Sequence, residues 1–402
     1  MYARVAENEP KMKTVMEGAY WVGVAYLFYV YAGYFLVLRA FVAGARNSGT
    51  GERSRAHDEA LPSVSVVISA HNEGHRIGKR IANLAALNYP EEKLEIIVAS
   101  DGSTDNTIAM ALCADHRVKA LDCQPQRGRA AVQNDAVTGA HGAIVLFTDA
   151  ETEFETECLR NLADHFADDV VGCVVGNLMY RARGSATAVA ESLYFRAEKK
   201  LRYLESSLGI LVTGTGACLA VRAGLWRALG PIDDCDFTTP IDAVLQGYSV
   251  VYAPEAVAYD DPPSSARAEL RTRIRQTSKN LIGTLRRWGW QGWIKHPVVS
   301  WGLISHKILR WFTPFVMVFL ILVNILLVGQ NLVYLTALGA QILFYALAVV
   351  GIVSEAFETR IPIASVIASF CIANLGMGIG VIRGLTGKAP ASYRSAEAAT
   401  QM

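Results

Sequence analysis

Three apolar runs crowd the last quarter of the chain: ILRWFTPFVMVFLILVNILLVG at 308–329, LVYLTALGAQILFYALAVVGIV at 332–353 and IPIASVIASFCIANLGMGIGVI at 361–382. Each reaches the roughly 20 residues that a helix needs to cross a bilayer. In hydrocarbon an unpaired backbone N–H or C=O is so costly that only helices and closed barrels span it. Three buried core helices would not be almost free of charge in succession, so the runs predict three C-terminal transmembrane helices within 307–385. A fourth run, uncharged from Ala19 to Leu38 inside 17–44, carries aromatic residues at both ends. It is too long and too aromatic for a cleaved signal peptide, and no small-residue cleavage site follows, so an uncleaved N-terminal anchor is expected. The segment AENEPK ahead of it reads as a solvated tail.

Arg39, Arg46, Arg53 and Arg55 follow the first run and favour a cytoplasmic exit, which puts the middle of the chain on the cytoplasmic side of an inner (plasma) membrane. Arg383, Lys388 and Arg394 in the tail pull against the external C-terminus that four spans imply. Composition agrees with a partly membrane-embedded chain: 52% of residues are hydrophobic and 19% charged. A net charge of +1 argues against nucleic acid as a partner, which calls for a basic face. The seven cysteines form no C-x-x-C pair and are expected to be reduced thiols.

Residues 45–62 are rich in Gly, Ser, Arg and Glu and read as a linker. From Ser63 short apolar runs alternate with helical spacing. The runs VSVVISA (64–70), LEIIVAS (94–100), VKALDC (118–123), AIVLFTD (143–149) and VVGCVVG (170–176) predict strands, and 75–87, 104–114 and 129–140 predict helices. This is the pattern of an α/β domain with a mostly parallel sheet, placed at 60–280. Between it and the spans, 281–306 mixes Trp288, Trp290, Trp293 and Trp301 with Arg and Lys, and reads as an interfacial segment or as a loop under the domain.

Ligands of such sheets sit outside the carboxyl ends of the strands. Three strands end in polar clusters: SAHNEG with Asn72 and Glu73, ASDGSTDN with Asp101 leading a Gly102 turn and Thr104 or Asp105 placed to cap a helix, and Asp149 with Glu151. A parallel sheet points all three to one edge. Acids converging there call for a cation, and Mg2+ or Mn2+ bridging one or two carboxylates to substrate phosphates predicts a nucleoside diphosphate ligand. His71 and His75 flank Asn72 and Glu73 and read as surface or capping residues.

These residues resemble the family 2 glycosyltransferases, whose fold is named GT-A, and within them the membrane-embedded polysaccharide-synthase-like branch. The likeness runs through the stretch from Pro62 to Thr107, RGRAAVQNDAV, FTDAETEF, LVTGTGACLAVR (211–222) and DCDFTTPIDAVLQGYSVVYAPEAVAYDD (234–261). The resemblance implies that Glu73 and Asp101 hold the uridine part of a UDP-sugar, with Arg129 near the nucleotide. Asp149 and Glu151 would be the D-x-D pair on diphosphate and metal, Gly216 and Ala217 would line the acceptor site, and Asp236 would be the catalytic base. Arg273 and Arg275 would add charge at the diphosphate. A polysaccharide or lipid-linked sugar is the implied acceptor, membrane lipid the surroundings, and export or synthesis proteins the possible partners.

The chain departs from the family pattern in three places. Cys235 stands where an acid often precedes the base, leaving Asp233 and Asp234 as rivals of Asp236. The D-x-D is D-A-E. The Q-x-x-R-W or R-x-x-R-W motif of processive synthases is absent, since Thr272 stands three residues before Arg275 and Gln276 follows it; a single or limited transfer is open. Two other readings compete with this one. One is a non-catalytic membrane subunit that keeps the fold. The other is a dinucleotide-dependent oxidoreductase, which needs a G-x-G-x-x-G after the first strand where this chain has SAHNEG.

Overall fold

The structure is a computed structural model that describes residues 2–45, 60–181, 186–261, 265–357, 359 and 361–389. Eight strands form one sheet: β1 Val64–Ala70, β2 Leu94–Asp101, β3 Val118–Cys123, β4 Ile144–Asp149, β5 Glu153–Phe154, β6 Val171–Tyr180, β7 Leu219–Arg222 and β8 Ser249–Asp260. Their order is β3-β2-β1-β4-β7-β6-β8-β5. The half β3-β2-β1-β4 is wholly parallel, as the alternation predicted. Beyond it β7 runs against both β4 and β6, β6 and β8 are parallel, and β5 runs against β8.

Both faces of the sheet are covered, which is why its strands are almost continuously apolar. Val64, Val66 and Ile68 of β1 face one layer, with Ile77, Ile81 and Leu84 of α3 (Ile77–Ala85) and Leu159 and Leu162 of α6 (Cys158–Asp164). Val67 faces the other, with Val132 and Ala136 of α5 (Arg129–Thr138) and Phe237 and Ile241 of α8 (Cys235–Leu245). The second layer continues into the apolar C-terminal bundle: Trp311, Met377 and Val381 belong to the same buried cluster.

At the N-terminus α1 (Tyr2–Phe28) continues through a π turn into α2 (Tyr34–Ala45). The segment expected as a tail is therefore helical, because Ala, Glu, Lys and Met extend a helix beyond the apolar run that anchors it. α4 is Thr107–Ala114, and the long α7 (Ala186–Ser207) and α9 (Ala266–Gly283) lie between the sheet and the bundle. The Trp-rich segment resolves into a π turn, α10 (Gly289–Lys295) and α11 (Pro297–Leu303), which leads through a second π turn into α12 (Leu309–Leu327). α13 (Leu332–Ala356) and α14 (Pro362–Leu385) follow. Among the described residues Lys11–Gly44, Pro297–Leu327, Leu332–Glu355 and Pro362–Leu385 are long and apolar enough to cross a membrane. Their outward surfaces expose Leu322, Leu326, Leu335, Leu343 and Leu375, an apolar belt that suits lipid rather than water.

α9 is held to the bundle by glycines. Gly376, Gly380 and Gly384 recur every fourth residue on α14, so they share one face. A Cβ at Gly380 would stand 2.7 Å from Thr277 Cβ and 3.0 Å from the Ile274 carbonyl; one at Gly376 would stand 2.7 Å from Arg273 Cβ. The backbones can approach this closely only because no side chain intervenes, as in small-xxx-small packing. Gly380→Val is therefore expected to cost about 1–3 kcal/mol by overpacking. The check is the apparent unfolding midpoint of the detergent-solubilised protein, and an unchanged midpoint would refute the close packing.

Candidate functional site at the carboxyl ends of the strands

The loops after β1 and β2 are tied to each other. Asn72 takes a positive φ of 57°, which its short polar side chain tolerates. Its N–H donates to Ser103 Oγ (3.0 Å) and its Oδ1 accepts from the Thr104 N–H (2.8 Å). Asp105 takes the capping part, accepting from the N–H groups of Thr107 and Gly74, each at 3.0 Å. The Glu73 N–H donates to Thr107 Oγ1 (2.9 Å), and the Glu73 carboxylate pairs with Arg76 Nε at 3.1 Å.

Asp101 ends β2 with its carboxylate accepting from the backbone N–H groups of Arg127 (2.7 Å) and Gly128 (2.9 Å). Gly102, at φ 66°, lets that loop close over the strand, since a Cβ there would meet Gln126 N at 2.6 Å. Asp101 thus shapes the loop that launches α5, and α5 opens with Arg129.

Arg129 is the hub of the crevice. Its guanidinium donates to Asp149 Oδ1, and a Cβ on Gly216 would lie 3.4 Å from its Nη2 and 3.8 Å from Asp236 Cβ. Burial alone would lower its pKa, but Asp149 and Asp236 beside it hold it above the usual range. Glu151, two residues on from Asp149, pairs with Arg76 Nη1 at 2.9 Å. Partial desolvation and the charge of Asp149 push Glu151 above the ordinary carboxylate range, against the pull of Arg76. Behind this wall buried Arg80 donates to Thr148 Oγ1 (2.9 Å), and Thr148 donates to the Ala217 carbonyl (2.9 Å), fixing the far end of the Gly214–Ala217 turn.

Asp233, Asp234 and Asp236 differ in their partners. Asp233 is held by Arg287 Nη2 at 2.8 Å and by the Gly230 N–H at 2.8 Å. Asp234 pairs with Lys279 Nζ at 3.0 Å and stands 3.7 Å from Arg275. Asp236, in the first turn of α8, has no ion pair among the described residues; desolvation and the neighbouring Asp234 push its carboxyl upward. The next turn of α8 contains Pro240. Proline has no N–H for the carbonyl four residues earlier, which is that of Asp236, and this carbonyl accepts instead from the Gly214 N–H at 2.8 Å. The Gly214 turn is thereby docked onto Asp236. Arg273 pairs with Glu269 on its own helix at 2.6 Å, and its Cβ lies against Gly376 of α14.

Sequence reasoning passed over Asp260. It ends β8, it is buried, and burial together with the charges of Glu151 and Asp149 pushes its carboxyl up to about 7. The rule that strands end in functional acids was the available signal, and AVAYDD satisfies it. Nothing in the sequence marked Arg76. Among the described residues no three His, Cys, Asp or Glu side chains stand close enough to ligate one ion. Asp149 and Glu151 offer carboxylate oxygens of the kind a hard divalent cation takes, and each is held by one guanidinium, of Arg129 and Arg76 respectively.

Residues 65–226 match the model of Glycosyl transferase family 2. Two curated relatives are poly-beta-1,6-N-acetyl-D-glucosamine synthases. The one from Staphylococcus epidermidis is 24% identical over 230 residues, 55% of this chain and 55% of the relative. The one from Staphylococcus aureus (strain COL) is 25% identical over 236 residues, 54% of each. The chain therefore spans about half the length of the curated relatives it matches. Among solved structures, a mannosyltransferase from Pyrobaculum calidifontis in complex with GDP-Man and Mn2+ superposes with a TM-score of 0.67 at 18% identity. That match covers 92% of this chain and 99% of the other, and shows a shared fold.

Asp260 gives a pH test of the crevice. Its folded pKa of about 7 lies above its ordinary value of 3.8, so between the two the folded chain keeps a proton that the unfolded chain has lost. Stability is then lost as pH rises through 7. Asp260→Asn should raise the unfolding midpoint of the ligand-free protein more at pH 8 than at pH 5; an equal rise at both would show that Asp260 does not titrate there.

Proposed function

Because residues 65–226 are a family 2 glycosyltransferase domain and the chain carries four membrane-spanning candidates, we propose that this glycosyltransferase moves a sugar from a UDP-sugar to an acceptor presented at the membrane. The acceptor is a polysaccharide or a lipid-linked sugar, and transfer inverts the anomeric centre. The observation that carries the reading is the convergence of Arg129, Asp149 and Glu151 with Asp236, whose carboxylate has no ion pair among the described residues, around the Gly214–Ala217 turn.

In the proposed reaction the acceptor hydroxyl attacks the anomeric carbon as the bond from that carbon to the diphosphate breaks. Asp236 takes the hydroxyl proton, and desolvation beside Asp234 makes it a stronger base than an ordinary carboxylate. Arg129 neutralises charge on the departing diphosphate from a fixed position, so little reorganisation accompanies the step. Glu73 and Asp101 shape the nucleotide end, Asp101 through the loop it organises. Arg275 faces the crevice beside Asp234, and Gly216 with Ala217 floor the acceptor side. Mg2+ or Mn2+, when bound by Asp149 and Glu151, supplies Lewis-acid stabilisation of the diphosphate. The arginines after the first span support a domain on the cytoplasmic side of the inner membrane.

The test is a donor screen with the full-length protein in lipid nanodiscs plus a lipid extract. UDP-GlcNAc, UDP-glucose, UDP-galactose and GDP-mannose are supplied with Mn2+, Mg2+ or EDTA, and nucleotide release is measured. A metal-dependent UDP signal is expected, with Asp236→Asn losing about 100-fold or more and Glu151→Gln losing the metal-dependent part while still folded. No turnover with any donor would instead favour a non-catalytic subunit.

A further inference from the structure

α7 carries charge from the bundle to the crevice. Its buried face holds Glu198 and Glu205, 5% and 3% exposed. Glu198 is bound by Lys307 Nζ at 2.9 Å, by Arg310 Nη1 at 2.9 Å and by His306 Nε2 at 3.1 Å. Glu205 accepts from the Tyr34 hydroxyl at 2.8 Å and faces His306 Nδ1 at 2.9 Å. Tyr34 lies in the N-terminal rod, and His306, Lys307 and Arg310 lie where α11 passes into α12. These four residues sit within candidate spans, where charge is tolerated only when paired.

One turn beyond Glu198, Arg202 continues the chain. Its Nη2 stands 3.8 Å from Glu198 Oε1 and donates to the Gly214 carbonyl at 3.3 Å. The N–H of the same glycine donates to the Asp236 carbonyl, which Pro240 leaves without a helical donor. A side chain at Gly214 would displace Leu219, since a Cβ would stand 2.8 Å from Leu219 Cδ1 and 3.1 Å from the Asp236 carbonyl oxygen. Both peptide groups of Gly214 are thus fixed, one by the residue in the base position and one by the network rooted in the spans. Several ions buried together would serve stability less well than packed apolar side chains of the same volume. What this arrangement supplies is a defined position for Gly214.

We propose that Arg202, held by Glu198 against Lys307 and Arg310, is a positioning residue for transfer: it sets the Gly214–Ala217 turn against Asp236 and so aligns the acceptor hydroxyl with the base. This rests on the function proposed above. The experiment compares wild type, Arg202→Met, Arg202→Lys and Glu198→Gln as full-length chains in nanodiscs. It measures kcat and donor KM with the donor found by the screen, the Kd of UDP with Mn2+, and amide hydrogen exchange.

In Arg202→Met, kcat is expected to fall about 10-fold, the effect of one hydrogen bond to a charged group. Donor KM and UDP Kd should stay within about twofold, and exchange across 210–218 should quicken about 10-fold while that across 94–101 is unchanged. Arg202→Lys, which keeps a donor, should recover most of kcat. An unchanged kcat with unchanged exchange overturns the proposal, as does a loss in which kcat, UDP affinity and exchange across 94–101 all deteriorate together. If Arg202→Met does not fold, Glu198→Gln is read by the same criteria. If wild type transfers nothing from any donor, the function fails on its own account, and exchange across 210–218 then decides whether Arg202 holds the turn.

Discussion

The hydrogen bond from the Gly214 N–H to the Asp236 carbonyl joins the two parts of the crevice that lie far apart in sequence. Pro240 has no N–H to give that carbonyl, so the Gly214 N–H supplies a donor that the helix does not. Once docked, the turn presents Gly216 to the Arg129 guanidinium and sends the Ala217 carbonyl back to Thr148 under the end of β4. The proline in CDFTTP thus leaves a carbonyl on which the Gly214–Ala217 turn docks.

Around that bond the acids are sorted by their partners. Asp101 is satisfied by backbone N–H groups, Asp233 and Asp234 by cations, and Asp149 and Glu151 by one guanidinium each. Asp236 has no ion pair among the described residues and Asp260 is buried against its own kind, so these two bear the electrostatic strain of the site. Carboxylates with strong structural partners hold loops; those without remain available for chemistry. The bundle enters the same scheme through α9, whose Arg275 and Lys279 reach Asp234 while its opposite side packs on the glycines of α14.

Much of this was legible in the chain. The five strands read from apolar runs are present, and the edge at which Asp101, Asp149 and Glu151 gather follows from the parallel order of β3-β2-β1-β4. The difference between Arg273 and Arg275 was not legible: two residues apart on a helix, they point to opposite sides, and only packing against α14 decides which meets Asp234. Arg76 was hidden because its partners Glu73 and Glu151 lie on separate strand ends. The helical extension ahead of the first span was missed because its polar residues carry no apolar period.

By itself the sequence determined that this chain has helices long and apolar enough to cross a membrane, an α/β sheet and an acidic strand edge, because apolar length, alternation and strand ends are local properties. Only the tertiary structure decided which aspartate has no ion pair among the described residues, which arginine meets Asp234, and that buried charges within the candidate spans connect through Arg202 to the glycine turn. Each of those outcomes depends on distances between segments tens to more than a hundred residues apart, and such distances are set by packing of the whole chain rather than by any stretch of it.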